Sequence, residues 1–255
     1  MAKYRTHAFI PDPQNKAHTP VNHLRAAGNY LADKRPDVII LAGDWWDLSA
    51  FSSYDTDAAK VAEGLSYAED IAAGRRALDV FLKPIQQASR RWKPDIHFLH
   101  GNHENRLVTQ VQATPMLRGL LGFESFGLRE RGLKVHPFLK PAIIDQIAYC
   151  HYFNMDSNGR VMNSKRGQAS ARAQVNNVGM SATSGHKQGL DVYVKESPAG
   201  RRRGLIAGSF YQHAEAYLGP QGNAHWHGIL LKHEVRAGDY DLLEVSLEYL
   251  LRKWT

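Results

Sequence analysis

Five short runs carry residues able to bind a metal or move a proton: Asp12-Pro13-Gln14, Gly43-Asp44-Trp45-Trp46-Asp47, Gly101-Asn102-His103-Glu104, His151, and Gly185-His186-Lys187-Gln188. Each follows an apolar stretch, so each is expected just past the carboxyl end of a strand. In open α/β sheets that edge is where ligands bind, and side chains distant in sequence converge there on one site. Carboxylate, amide and imidazole ligands together suit borderline divalent ions such as Mn²⁺, Fe²⁺, Zn²⁺ or Co²⁺. Cys150 is the one cysteine, so neither a disulfide nor a thiolate cluster is available, and any metal must be held by His, Asp, Asn or Gln. Arg106, a few residues beyond Glu104 at a helix start, could fork onto a phosphate, because guanidinium geometry matches phosphate oxygens bidentately.

Elements that alternate between two periodicities must position these groups. Arg5 to Ile10 reads as a strand ending at Pro11, and Val21, Leu24, Ala27 and Leu31 then recur at helical spacing. Val38-Ile39-Ile40-Leu41-Ala42 is a continuous β-branched run of the kind buried on both faces in parallel sheets. Helical spacing fills Thr56 to Arg91, and Asp95 to Leu99 is a third strand. Ala142 to Tyr149 reads as a fourth strand and Met180 to Thr183 as a fifth. Ser157 to Asn177, rich in Ser, Asn, Gln, Arg and Gly, reads as a surface loop leading into a short helix, with a substrate loop at about 152–178. Beyond Gly189, period-2 alternation in Asp191 to Lys195 and Gly228 to Lys232 predicts antiparallel strands. No linker or repeat interrupts the 255 residues, so one domain, with a helical insertion at about 50–92, is expected.

Hydrophobic residues at 43% and charged residues at 22% exclude a collagenous or largely disordered chain. No apolar run approaches the roughly 20 residues that cross a bilayer, and Met1-Ala2-Lys3-Tyr4-Arg5 lacks a signal-peptide core. With the lone cysteine, these features predict a cytoplasmic protein with no membrane partner. Lys and Arg outnumber Asp and Glu by 32 to 25, a formal charge of +7. That balance is compatible with a polyanionic partner such as DNA or RNA, and equally with a well-solvated surface.

The order of the five runs resembles the calcineurin-like metallophosphoesterase family over residues 5 to 189, most specifically in GDxxD and GNHE. The resemblance implies a four-layer αββα sandwich, two mixed β-sheets flanked by helices, with Ala207 to Glu248 as the second half. Trp226-His227-Gly228 is similar to a segment in phage-borne members, which would make the location a host cytoplasm. Two metals sharing Asp44 are implied. Asp12, Gln14 and Gln188 fall to one, and Asn102, His151 and His186 to the other. The family pattern has His where this chain has Gln14 and Gln188, and both changes fall on the same ion. A neutral amide oxygen is a weaker, harder ligand than imidazole, so that site is expected to prefer Mn²⁺ or Mg²⁺ and to hold it loosely, leaving one or two ions bound. By the same resemblance His103 protonates the leaving oxygen while Asp47 accepts its other N–H, and metal-activated water attacks phosphorus.

The expected activity is therefore a metal-dependent phosphodiesterase acting on nucleic acid or a nucleotide. The alternatives are a phosphomonoesterase, or a weakly active or non-catalytic nucleic-acid-binding relative. Family members that dephosphorylate proteins carry Arg-Gly after the second Asp of GDxxD, whereas Leu48-Ser49 stands here. Ser164-Lys165-Arg166 with Arg172 favours a diester with an extended anionic body. His97, His100 and His136 are read as structural, His225 and His227 as an exposed strand face and reserve ligands, and Arg201-Arg202-Arg203 as a solvated hairpin turn.

Overall fold

The protein is known from a computed structural model that describes residues 4–52, 66–162, 167–198, 200–214 and 223–255. Strands β1 (Arg5–Ile10), β2 (Val38–Leu41) and β3 (Asp95–Leu99) run parallel, and β4 (Lys134–His136) adds a fourth parallel strand at the edge. On the other side of β1 the long hairpin β10 (Gly228–Arg236) and β11 (Asp239–Ser246) pairs antiparallel, giving the order β11-β10-β1-β2-β3-β4. A second, mixed sheet has the order β5-β6-β7-β9-β8, from β5 (Ala142–Ile144), β6 (Ile147–Cys150), β7 (Ser181–Ser184), β8 (Leu190–Lys195) and β9 (Arg202–Ala207).

Three apolar clusters define the layers. Helices α1 (Asn22–Lys34), α2 (Tyr67–Gln87) and the C-terminal α5 (Leu247–Trp254) cover the outer face of the first sheet through Leu24, Leu31, Leu78, Phe81 and Leu250, against Ala8, Ile39, Leu41 and Phe98. Phe9, Val38, Ile40 and Leu230 meet Tyr149, Leu205 and Ala207 between the sheets. Helix α4 (Ala171–Val178) packs over the outer face of β7 to β9. The molecule is thus a mixed α/β sandwich with two mixed sheets flanked by helices, as expected. No helix among the described residues is long and apolar enough to cross a membrane.

Several local expectations change. Ala142 to Tyr149 is two strands, because Asp145 and Gln146 take positive φ (49° and 63°) and reverse the chain into a hairpin. The C-terminal strands are divided between the sheets, since β10 and β11 extend the first one beside β1. The helical stretch predicted from Thr56 begins at Tyr67 in the described chain; residues 53–65 lie outside the described residues, as do Ser164, Lys165 and Arg166. Arg201 lies in the exposed turn between β8 and β9 as expected, but Arg202 and Arg203 do not. Arg202 and Arg203 open β9, Arg203 pairs with Asp239 at 2.7 Å and lies over the Tyr240 ring, and Arg201 pairs with Glu196 at 2.7 Å.

The inter-sheet core also carries a polar chain of side chains. Lys232, fully buried in β10, donates to Thr183 Oγ1 (2.5 Å) and to Tyr149 Oη (3.2 Å). Tyr149 meets His7 Nδ1 at 2.7 Å, and His7 Nε2 meets Asp145 Oδ2 at 2.8 Å. Burial pushes the Lys232 ammonium well below its usual pKa.

Candidate metal centre

The five runs meet at one edge, because β1, β2 and β3 are parallel in one sheet and β6, β7 and β9 are parallel in the other. Asp12, Asp44, Asn102, His151 and His186 all emerge from carboxyl ends of these strands. Ligand atoms of Asp44, His151 and His186 lie within 4.8 Å of one another. His151 Nδ1 faces the Ala42 carbonyl oxygen at 2.9 Å, which fixes that nitrogen as the donor. Its Nε2 then points at Asn102 Oδ1 (2.9 Å) and Asp44 Oδ2 (3.3 Å). A backbone-anchored imidazole whose other nitrogen faces a carboxylate and an amide oxygen is the arrangement in which metal ligands are held.

Electrostatics describe a well for positive charge. Burial opposes protonation of His151, but the Asp44 and Asp12 carboxylates outweigh it and push the imidazole up to about 10. Burial also works against the Asp44 anion, yet His103 and His151 hold that carboxyl far below the usual range. Burial raises Asp12 instead, with Asp44 adding to the rise and His151 opposing it. Asp12 Oδ1 is buried without a hydrogen-bond partner, while Oδ2 accepts the His186 N–H at 2.7 Å. Two buried carboxylates, one with an orphaned oxygen, suit a cation, so Asp12, Asp44, Asn102, His151 and His186 fit a divalent metal.

Gln14 is 5% exposed and its N–H donates to the Asp44 carbonyl oxygen at 2.9 Å, so its loop abuts this cluster. Gln188 lies two residues beyond His186 on the same half-buried loop. The compact group is the one rich in imidazole.

Around His103 the contacts are specific. Its Nδ1 lies 3.1 Å from Asp47 Oδ1, close but not aligned as a hydrogen bond, and its backbone N–H donates to Asp44 Oδ1 at 2.9 Å. Burial disfavours the Asp47 anion, but His103, Lys16 and Ser49 hold its carboxyl well below the usual range. Arg106 at the start of α3 (Arg106–Ala113) is tethered: Nη1 donates to the Asp47 and Leu48 carbonyls (2.7 and 3.2 Å), and Nη2 reaches His103 Nε2 at 3.0 Å.

Two further contributors, Glu104 of the GNHE run and Lys16, stand outside the catalytic and ligand residues expected from the sequence. Glu104 is fully buried, and its carboxylate accepts backbone N–H groups of Trp45 (2.8 Å) and Trp46 (3.1 Å) on Oε1, and of Asp44 (2.9 Å) and Gly101 (2.8 Å) on Oε2. It ties the Asp44 loop to the Asn102 loop. Lys16 Nζ stands 3.8 Å from Asp47 Oδ2 and adds positive charge beside His103. The glycine at 101 is required by space: a Cβ there would lie 2.1 Å from Asp44 Oδ1. His97 pairs with His136 at 2.9 Å, in keeping with structural roles. His225 and His227 depart from the exposed strand face expected of them; they precede β10, half-buried, with ring centroids 4.3 Å apart.

Fold and site together define an α/β sandwich with a histidine–carboxylate centre at the carboxyl edge of its sheets. No family model matches the chain, and no curated protein matches it. A solved structure aligned over 96% of this chain and 100% of its own shares 12% identity at a TM-score of 0.44, too distant to bear on fold or chemistry.

Proposed function

We propose that the protein is a metal-dependent phosphoesterase of the calcineurin-like kind, a phosphodiesterase acting on nucleic acid or a nucleotide. The observation that carries this reading is the convergence of His151 Nε2, Asn102 Oδ1 and Asp44 Oδ2, with His186 within reach and His103 beside them. Asp44, Asn102, His151 and His186 would hold the better-equipped ion, Mn²⁺ being the first choice. Asp12, Gln14 and Gln188 would hold a second with Asp44. Bound metal supplies Lewis-acid charge to a phosphate oxygen and lowers the pKa of water.

The chain's own residues do the rest. With Nδ1–H turned to Asp47, His103 Nε2 accepts from Arg106 in the resting site. A phosphate dianion or diester anion is a stronger acceptor for guanidinium than a neutral imidazole. Substrate therefore draws Arg106 away and frees His103 Nε2, which takes up a proton from solvent water and then gives it to the leaving oxygen. Asp47 and Lys16 keep the imidazole facing inward. Lone Cys150, buried and with its thiol pushed up to about 12 by burial, fits a reducing cytoplasm.

Hydrolysis of bis-p-nitrophenyl phosphate and p-nitrophenyl phosphate, with and without Mn²⁺, tests the reading. Mn²⁺-dependent turnover of the diester in preference to the monoester is expected. Preference for the monoester would make the protein a phosphomonoesterase, and no turnover of either with metal bound would make it a non-catalytic relative.

A further inference from the structure

A second cluster of aromatic and imidazole side chains borders the metal centre, and neither the ligand set nor the proton transfer uses it. β9 runs parallel to β7, so the chain leaving β9 emerges on the same edge as His186; β10 is antiparallel to β1, so the chain entering β10 starts beside the end of β1. Phe210 N–H donates to the Asp12 carbonyl oxygen at 3.0 Å, which pins this segment to the first ligand loop. Immediately beyond lies a cavity of about 330 Å³. Its wall is Tyr211, His213 and His227, with the amides of Gln212 and Asn223, and with Leu247 and Leu251 of α5 closing one side.

The chemistry of that wall is selective. Tyr211 stacks on His213 (centroids 4.6 Å apart, 22° between planes) and meets His227 edge-on at 4.9 Å. His227 Nδ1 is buried with no hydrogen-bond partner. Burial, reinforced by His225, pushes the His227 imidazole down to about 4, so it is neutral at pH 7. No Lys, Arg, Asp or Glu lines the cavity among the described residues, so the described wall offers an isolated anion no counter-charge. A metal ion is also disfavoured, since the only described group with ligand atoms within 4.8 Å of one another is Asp44, His151 and His186. Gln212 Oε1 accepts a hydrogen bond from His23 Nδ1–H at 3.2 Å, which orients the amide and leaves its NH₂ as a donor. Ring faces with two amides and a leucine floor match a flat heteroaromatic ring with hydrogen-bonding edges.

We propose that this cavity takes the nucleobase next to the scissile phosphate, with the base against the Tyr211–His213 wall and its edge on Asn223 and Gln212. The proposal rests on the phosphodiesterase reading and narrows it to substrates with a base beside the ester. Two diesters with the same leaving group separate the ideas: thymidine 5′-(p-nitrophenyl phosphate), and methyl p-nitrophenyl phosphate, which has no base. With Mn²⁺, kcat/KM should favour the thymidine ester by about tenfold or more, the worth of one base–aromatic stack. His213→Ala and Asn223→Ala, both at partly exposed positions, should each erode that preference several-fold. Equal kcat/KM for the two esters in the unmodified protein, or a parallel fall on both in the variants, would overturn the proposal. If neither diester turns over, the phosphodiesterase reading fails and the cavity is judged by binding. Calorimetry should then show adenosine 5′-monophosphate binding at least tenfold tighter than ribose 5-phosphate, with the difference lost in His213→Ala; equal affinities would refute the base pocket.

Discussion

Replacing Glu104 with glutamine should loosen both the fold and the candidate metal centre. The Glu104 carboxylate accepts two backbone N–H groups on each oxygen, from Trp45 and Trp46 on one and from Asp44 and Gly101 on the other. A glutamine offers one acceptor oxygen and one NH₂ group, so whichever way the amide turns, two donors face a donor. Hydrogen bonds to a charged group are worth about 1.5–3 kcal/mol each, so two lost bonds cost about 3–6 kcal/mol. Burial and the neighbouring Asp44 push the Glu104 carboxyl above its ordinary value. Its charge is therefore itself a cost, and removing it offsets part of the loss. A net destabilisation of about 2–4 kcal/mol remains, a large fraction of the roughly 5–15 kcal/mol that holds a domain. Urea unfolding followed by fluorescence would measure it, with buried Trp45 and Trp46 as local reporters. Mn²⁺ titration of the same variant should show weaker binding, because the loops carrying Asp44 and Asn102 lose their shared anchor. A loss below about 1 kcal/mol together with unchanged Mn²⁺ affinity would refute the reasoning.

Lys232→Met should lower thermal stability by no more than about 2 kcal/mol, because an apolar chain of similar volume replaces the buried amine and Tyr149 keeps its bond to His7, while the buried Thr183 hydroxyl loses its donor; a drop in Tm equivalent to more than about 3 kcal/mol would show that the amine is required. His7, His23 and His97 are each held down to about 4 by burial, so below pH 6.5 the unfolded chain binds protons the folded one refuses. Their contribution is intact above about pH 6.5 and lost as pH falls towards 4, at about 1.4 kcal/mol per pH unit for each histidine, and equal urea midpoints at pH 7 and pH 5 would contradict it. His103→Ala should retain metal but slow methyl-ester leaving groups by about 10²–10⁴-fold and p-nitrophenolate far less; an equal slowdown on both would remove the acid role. Gln14→His with Gln188→His should tighten a second metal, read by Mn²⁺ titration, and two equally chelator-resistant ions in the unmodified protein would show that the Gln pair does not weaken that site.

What could be read from the chain alone depended on whether a feature leaves a local pattern. Val38–Leu41 is legible because a strand buried on both faces must be continuously apolar, and its four residues are all buried. The five runs are legible because each stands at the end of such a strand. The hairpin inside Ala142 to Tyr149 is not, since its reversal uses Asp145 and Gln146 at positive φ without a glycine. Edge strand β4 is three residues long, too short for a period. Arg203 reads as a solvated charge until β10 and β11 bring Asp239 and Tyr240 beside it. The clamping role of Glu104 is hidden for a related reason: the GNHE run contains it, but its partners are backbone N–H groups, which every residue has, so no complementary side chain advertises the clamp.

The ligand loops share a backbone feature that ties these observations together. Gln14, Asp44 and His186 all adopt positive φ, at 43°, 45° and 66°. Side chains other than glycine rarely take that region, and each such residue costs on the order of 1–3 kcal/mol unless its surroundings hold it. Here they do. Gln14 N–H is bonded to the Asp44 carbonyl, Asp44 N–H to Glu104, and His186 N–H to Asp12. Each strained residue is thus fixed by a partner from another loop of the same centre, and the carboxylates of Asp12 and Glu104 serve as the clamps. Asp12 uses one oxygen for that purpose and keeps the other unpaired in a buried position. The strain and the unmet acceptor would both be wasteful in a loop that only turned the chain, and they become favourable together once a cation sits among these groups.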